Sequence, residues 1–113
     1  MHEMAIAEPL LEQILEIADK HNASEVEEVQ VELGLMRQVV PEALEMAFKA
    51  LSEGTIAENA KLVQCEIPIT VRCNSCQVEF DAKPESFQCP KCQKSDIEII
   101  AGNDIILKSM TCQ

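Results

Sequence analysis

Cys73-Asn74-Ser75-Cys76 and Cys89-Pro90-Lys91-Cys92 are two C-x-x-C turns separated only by residues 77–88. One such turn lets two thiolates converge on one ion, and a second completes a tetrahedron of sulfur, which is how a structural zinc is held. Four protein ligands leave no open coordination position, so an ion there holds the chain together and acts on no substrate. The competing reading is four buried or disulfide-bonded cysteines. A redox C-x-x-C belongs in a thioredoxin-like context, which is missing here. What the chain does must be sought outside this motif.

The charge balance narrows the search. Acidic residues outnumber basic ones 20 to 9, for a net charge of −11. Zinc ribbons that bind nucleic acid need lysines and arginines to neutralise phosphates. They also use aromatic residues on which bases stack, and this chain has three Phe and no Trp or Tyr. No nucleic-acid partner is expected. An acidic surface suits cation handling or a basic protein partner, with simple solubility as the bland alternative. The apolar stretches are too short for a membrane span, and the start lacks the pattern of a signal peptide. Paired cysteines without a secretory signal fit a reducing, cytoplasmic setting.

At 113 residues the chain suits one compact domain, or a small domain with a metal-stapled module. Residues 5–21 read as an amphipathic helix, with Ile6, Leu10, Leu11, Ile14, Leu15 and Ala18 at spacings of three and four. Asn22 is its stop signal, and His21 sits where an imidazolium would favour the helix C-terminus. Over residues 29–35 the period changes to two, with Val29, Val31, Leu33 and Leu35 on one face. Gly34 marks a bulge or a close backbone approach. A loop over 36–40 leads to Pro41, which opens a second helix with Leu44, Ala47, Phe48 and Leu51 on its buried face and Gly54 after its end. Residues 62–71 read as one strand, with Val63, Cys65, Ile67, Ile69 and Val71 inward and Pro68 placing it at an edge or beside a bulge. The apolar segment 104–112 is expected to return to the first sheet. Cys65 and Cys112 then fall on strands of one sheet, packing as small hydrophobes. The expected class is α+β: a small sheet of about three strands with two helices, plus an inserted four-cysteine zinc ribbon. The expected division is a domain over 1–71, completed by 101–113, with the zinc-binding domain at 72–100.

Catalytic motifs are absent: no G-x-S-x-G, P-loop or G-x-G-x-x-G occurs, and there are two histidines and three glycines in all. His2 draws interest through its position. The α-amine of Met1, the amide nitrogen of His2 and its Nδ1 close a five- and a six-membered chelate ring on one ion. Square-planar nitrogen donors of this kind suit Ni(II) or Cu(II). Glu3, another carboxylate such as Glu42, or a partner would fill the fourth position. From the residues alone a frayed polar His2 stays the commoner reading.

Taken together, Met1-His2-Glu3 before an amphipathic helix, a β-α-β core and paired C-x-x-C turns resemble the HypA/HybF family of hydrogenase-maturation nickel metallochaperones. Val31-Glu32-Leu33-Gly34, Val40-Pro41-Glu42-Ala43-Leu44 and Gly102-Asn103-Asp104 add local matches, so the resemblance spans essentially the whole chain. It implies a protein that is no enzyme. His2 becomes a nickel ligand with Glu3 adjoining, in a nickel-binding first domain, and Cys73, Cys76, Cys89 and Cys92 hold structural Zn(2+). It also implies delivery of Ni(2+) to the large-subunit precursor of [NiFe]-hydrogenase, with the maturation GTPase HypB and, in some organisms, urease accessory proteins as partners. Two departures stand out: Val39-Val40 lies where some relatives carry a carboxylate, and Gln77 and Gln93 replace the glycine that often follows a zinc turn. A slightly different turn is expected there, with the site kept. A ribbon that binds nucleic acid or protein without nickel, and a metal-dependent hydrolase, are the competing functions.

Overall fold

The computed structural model describes residues 2–113. Its elements run α1 (His2–Lys20), β1 (Val26–Gly34), α2 (Pro41–Ser52), β2 (Lys61–Ile67), β3 (Ile69–Cys73), β4 (Glu79–Ala82), β5 (Ile97–Ala101) and β6 (Ile105–Cys112). A 3-10 turn, Leu35–Arg37, follows β1. The strands make two three-stranded sheets, ordered β2-β1-β6 and β4-β3-β5. The expected α+β class is observed, and the segment after Asp104 does rejoin the sheet of β1. The chain divides into two compact units, one of Met1–Val31, Val39–Gln64 and Leu107–Gln113, the other of Glu32–Gln38 and Cys65–Ile106.

In the first unit α1 packs on α2. The stripe read from the sequence is buried: Ile6, Leu10, Leu11, Ile14 and Ala18 on α1, and Leu44, Ala47 and Phe48 on α2. Leu15 and Leu51, at the edges of those faces, are half-buried. The helix starts earlier than its apolar pattern because its first residues are polar or flank the stripe. Pro9 sits inside it; the ring removes one N–H that would have bonded the Ala5 carbonyl, on a face where both residues are exposed. At the other end Asn22 adopts φ 53. Its N–H bonds Asp19 O, and Ala23 N–H bonds Ala18 O, the paired closure that a left-handed residue makes possible after a helix. Gln113 is tied beside the start of β1, its carbonyl accepting from Ser24 N–H at 2.7 Å and its N–H donating to Glu25 O at 2.8 Å.

Residues 62–71 are not one strand. β2 ends at Ile67 and β3 begins at Ile69, and the two belong to different sheets. Pro68 makes the break: it has no N–H for a ladder and a fixed φ, so the chain leaves one sheet there and enters another. The alternation continues through the proline, which is why the sequence read as a single strand. The expectation for Cys65 and Cys112 is corrected too. Both thiols are exposed, and β2 and β6 flank β1 on opposite sides. A central strand separates them, and neither packs as a small hydrophobe.

The second unit is built on β3, antiparallel to β4 with Val71 opposite Phe80 and to β5 with Val71 opposite Ile99. Ile69 and Val71, fully buried, form its core with Ala82, and Leu35, Met36, Phe80, Phe87, Ile97 and Ile99 pack around them. Arg72 reaches Glu79 on one neighbour at 3.7 Å and Glu98 on the other at 3.8 Å. Both are exposed pairs, each worth under about 1 kcal/mol. Gly34 is a close approach: a Cβ there would lie 2.4 Å from the Gly102 carbonyl carbon and oxygen. The same contact lets Gly34 N–H bond Asp104 O and Met36 N–H bond Gly102 O.

Candidate metal centres

The second unit carries the four cysteines on two turns with one backbone pattern. In the first, Gln77 N–H bonds Cys73 O at 2.9 Å and Cys73 N–H bonds Val78 O; in the second, Gln93 N–H bonds Cys89 O at 2.8 Å and Cys89 N–H bonds Lys94 O. β3 delivers Cys73 directly from the sheet. The Asn74 side chain and N–H both bond Asp96, fastening the first turn to the segment after the second.

The four sulfurs lie within 4.8 Å of one another. Cys73 Sγ is 3.4 Å from Cys92 Sγ, and Cys76 Sγ is 3.6 Å from Cys89 Sγ. A zinc–sulfur bond of about 2.3 Å places the corners of a tetrahedron about 3.8 Å apart. The cluster therefore has the size for one zinc, and its soft donors exclude hard ions such as Mg(2+). Cys73 and Cys89 are fully buried, with Cys76 and Cys92 half-buried.

Backbone N–H groups prepare these sulfurs for negative charge. The Cys76 N–H leads in lowering the Cys73 thiol. The Cys92 N–H, against burial and helped by the Lys91 N–H, brings the Cys89 thiol down to about 6. The second cysteine of each turn receives an N–H from two residues on, Val78 for Cys76 and Lys94 for Cys92. In both cases burial and the neighbouring sulfurs outweigh that donor, raising Cys76 and taking Cys92 to about 11. Four thiolates this close repel one another, and a divalent cation at their centre removes the conflict.

The glutamines behind the turns do what glycine usually does. Gln77 has φ 64 and Gln93 φ 62, both left-handed. That conformation costs a residue with a Cβ roughly 1–2 kcal/mol, part of which glycine returns as chain entropy in the unfolded state. Gln77 recovers something by donating from Nε2 to Asn74 O at 3.1 Å. Gln93→Gly is therefore expected to stabilise the zinc-loaded protein by about 0.5–1 kcal/mol, and Gln77→Gly by less. Thermal melts in the presence of zinc check the order of the two.

The N-terminal residues lie in the first unit, and Met1 and its α-amine lie outside the described residues. His2 is exposed and opens α1. A helix leaves the N–H groups of its first turn without carbonyl partners, so the His2 amide is not committed to the fold. Glu3 is buried, and its carboxylate serves two neighbours: Oε2 lies 3.2 Å from His2 Nδ1 and accepts Val40 N–H at 3.0 Å. Val40 is the residue before α2 and has no capping side chain of its own. A charge from the first turn of α1 thus caps the positive end of α2. Sequence reasoning paired His2 with Glu3 but missed Val40, because a backbone N–H leaves no mark in a sequence. Glu42 is exposed, and Val39 and Val40 bring no donor side chain.

The Val40 N–H, and then the Glu3 amide, hold the Glu3 carboxyl below its ordinary value. A lowered folded pKa stabilises the fold fully above the range where an unfolded glutamate titrates, near ~4.3, and that stabilisation is lost as pH falls through the lower folded value. Wild type should melt a few degrees above Glu3→Gln near neutral pH. The gap should close on acidification below about pH 4, as read from melts of the metal-free protein.

The family model described as "Hydrogenase/urease nickel incorporation, metallochaperone, hypA" matches residues 1–112. A hydrogenase maturation factor HypA of Aquifex aeolicus is 37% identical over 110 residues, covering 97% of this chain and 96% of that one. One from Methanosarcina acetivorans is 35% identical over 126 residues, covering 97% and 94%. A solution structure of HypA protein superposes with a TM-score of 0.73 at 26% identity, covering 100% of this chain and 97% of that one. The fold is also that of the Ni metallochaperone HypA from Helicobacter pylori, at a TM-score of 0.72, 24% identity and 99% and 97% coverage. The chain belongs to the HypA family, whose members are metallochaperones and maturation factors. Its place is within the hydrogenase maturation machinery. No helix among the described residues is long and apolar enough to cross a membrane.

Proposed function

We propose that this protein is a nickel metallochaperone that binds Ni(II) at its N-terminus and helps insert it into the large-subunit precursor of [NiFe]-hydrogenase. Family membership across residues 1–112 carries this reading. The nickel donors are the Met1 α-amine, the His2 amide nitrogen and His2 Nδ1, with Glu3 adjoining as the carboxylate whose Oε2 lies against that Nδ1. Loading exchanges that His2–Glu3 contact for a metal bond while Glu3 keeps its hold on Val40. The exposure of His2 at the start of α1 supports this, since an ion passed onward must be reachable. Zn(2+), resident and structural, is held by Cys73, Cys76, Cys89 and Cys92. The direct partners are the maturation GTPase HypB and the hydrogenase precursor, with urease accessory proteins as a further route, in the cytoplasm. Neither nucleic acid nor membrane takes part, and no turnover is assigned.

Metal analysis of untagged protein from cells supplied with nickel tests this. The expected result is zinc close to one per chain, resisting mild chelation, with nickel that a chelator strips readily. Nickel at background in protein with a native N-terminus would overturn the assignment.

A further inference from the structure

The sulfur contacts at 3.4 Å, Cys73 to Cys92, and at 3.6 Å, Cys76 to Cys89, both run between the two turns. Each joins a half-buried sulfur, Cys92 or Cys76, to a fully buried one, Cys73 or Cys89. A disulfide is ~2.05 Å long, so each pair must close by about 1.5 Å, which side-chain rotation supplies. The backbone favours the same pairing. Gln77 N–H to Cys73 O closes the first turn and Gln93 N–H to Cys89 O the second, so that all four sulfurs face one centre. The Asn74 side chain, donating to Asp96 Oδ1 at 3.0 Å, keeps the turns in register. Drawing Cys73 onto Cys76, or Cys89 onto Cys92, pulls both sulfurs away from that centre and against the bonds that close their turn.

We infer that the four-cysteine centre is an oxidation site for hydroperoxides, which convert it into two disulfides between the turns, Cys73–Cys92 and Cys76–Cys89, and so discharge its metal. This rests on the zinc reading of the four cysteines. The reachable thiolate, Cys92 or Cys76, attacks one peroxide oxygen. An S–O bond forms, the O–O bond breaks, and the other oxygen leaves as water from hydrogen peroxide or as an alcohol from an alkyl hydroperoxide. The buried thiolate of the opposite turn then attacks that sulfur, forming the S–S bond and expelling the sulfenic oxygen as water. Two thiolates, one hydrogen peroxide and two protons thus give one disulfide and two waters. Two peroxides oxidise the centre by four electrons and leave no thiolate to hold an ion. Pairing decides what survives. Bonds between the turns nest around residues 77–88 and staple the unit after the ion has gone, whereas bonds within each turn would leave the turns unconnected. Reduction of the stapled form returns four thiolates already in place, so the change is reversible, as oxidant-sensing disulfides are.

The test treats full-length, zinc-loaded protein with hydrogen peroxide, in wild type and in a Cys65→Ser, Cys112→Ser variant that lacks the two exposed thiols outside the centre. In both, zinc should fall from about one ion per chain to near none as four thiols are lost. After remaining thiols are blocked, cleavage at basic and glutamyl residues separates peptides 73–79, 86–91 and 92–94. All three should be joined in one species, and fragmentation between Cys73 and Cys76 should assign Cys73 to Cys92 and Cys76 to Cys89. A dithiol should then restore full zinc binding without a refolding step. Cys73 bonded to Cys76 or to Cys89 would overturn the proposal, as would sulfinic acids without disulfides, or zinc fully retained in the double variant. Untreated protein that holds no zinc would remove the zinc reading instead. The same joined species would still be expected from its reduced form, and pairing within turns there would overturn the proposal as well.

Discussion

Cys73→Ser should take bound zinc from about one ion per chain to near none, because a tetrahedral thiolate site that loses a corner must recruit water where the fold excludes it. Cys73 is the severe choice: it is fully buried and lies at the end of β3, the central strand of its sheet. The ligand set and the core of that unit are therefore lost together, Val71 being two residues away. Cys92→Ser, at a half-buried position on the second turn, should also lose zinc but leave β3 better ordered. Metal binding and folding are one equilibrium in such a site. The β3–β4 and β3–β5 amides should accordingly lose hydrogen-exchange protection in Cys73→Ser. Protection in α1 and α2, whose buried stripe contains no cysteine, should change little. Zinc retained at full occupancy in both variants would mean that the ligands are misassigned. Collapse of the helices along with the sheet would mean that the two units do not fold separately.

Much of this was legible because its determinants are local. The α1 stripe, the Pro41 start of α2 and the Asn22 stop each follow from residues within a turn or two, and each appears in the structure. The two C-x-x-C turns were equally plain, since ligand spacing is a property of the chain before it folds. The misreadings share a different cause. Pro68 looked like an irregularity in one strand because apolar alternation continues on both sides, and nothing local says that Ile67 and Ile69 serve different sheets. Cys65 and Cys112 do fall in one sheet, but both thiols are exposed on strands that flank β1, and neither strand order nor which face stays open is written locally. The strands β4 and β5 are short and half-polar, which hides them among the residues around the zinc turns. Gln77 and Gln93 show a composition rule giving way: the left-handed conformation is adopted by residues with a side chain, at positions where glycine is usual. The Glu3–Val40 bond spans the helical layer and was beyond any sequence argument.

An extension of a few residues before Met1, containing no histidine, should weaken specific Ni(II) binding by orders of magnitude and change its spectrum. The reason lies in the donor count. The proposed chelate closes a five-membered ring from α-amine to His2 amide and a six-membered ring from that amide to Nδ1. An acylated amine can no longer donate, so the first ring is gone while every side chain remains. His2→Ala should also abolish specific binding, but it would do so under any scheme in which the imidazole matters. The extension alone separates the amine chelate from a site made of side chains. Proton competition gives the companion result: an α-amine in simple peptides titrates near ~8, and the amide must shed its proton too. Affinity should therefore rise steeply from mildly acid to mildly alkaline pH in the native protein, and more shallowly in the extended one. Helix content and zinc should be unaffected in both variants, since His2 is exposed and belongs to neither core. Isothermal titration with nickel, run alongside absorption spectra, reads all of this. Unchanged affinity and spectrum in the extended protein would remove the amine from the ligand set even with His2 retained, and the fourth-ligand question would then turn to Glu3. Its carboxylate already lies against Nδ1 at 3.2 Å, and Glu3→Gln would then be the variant that loses nickel.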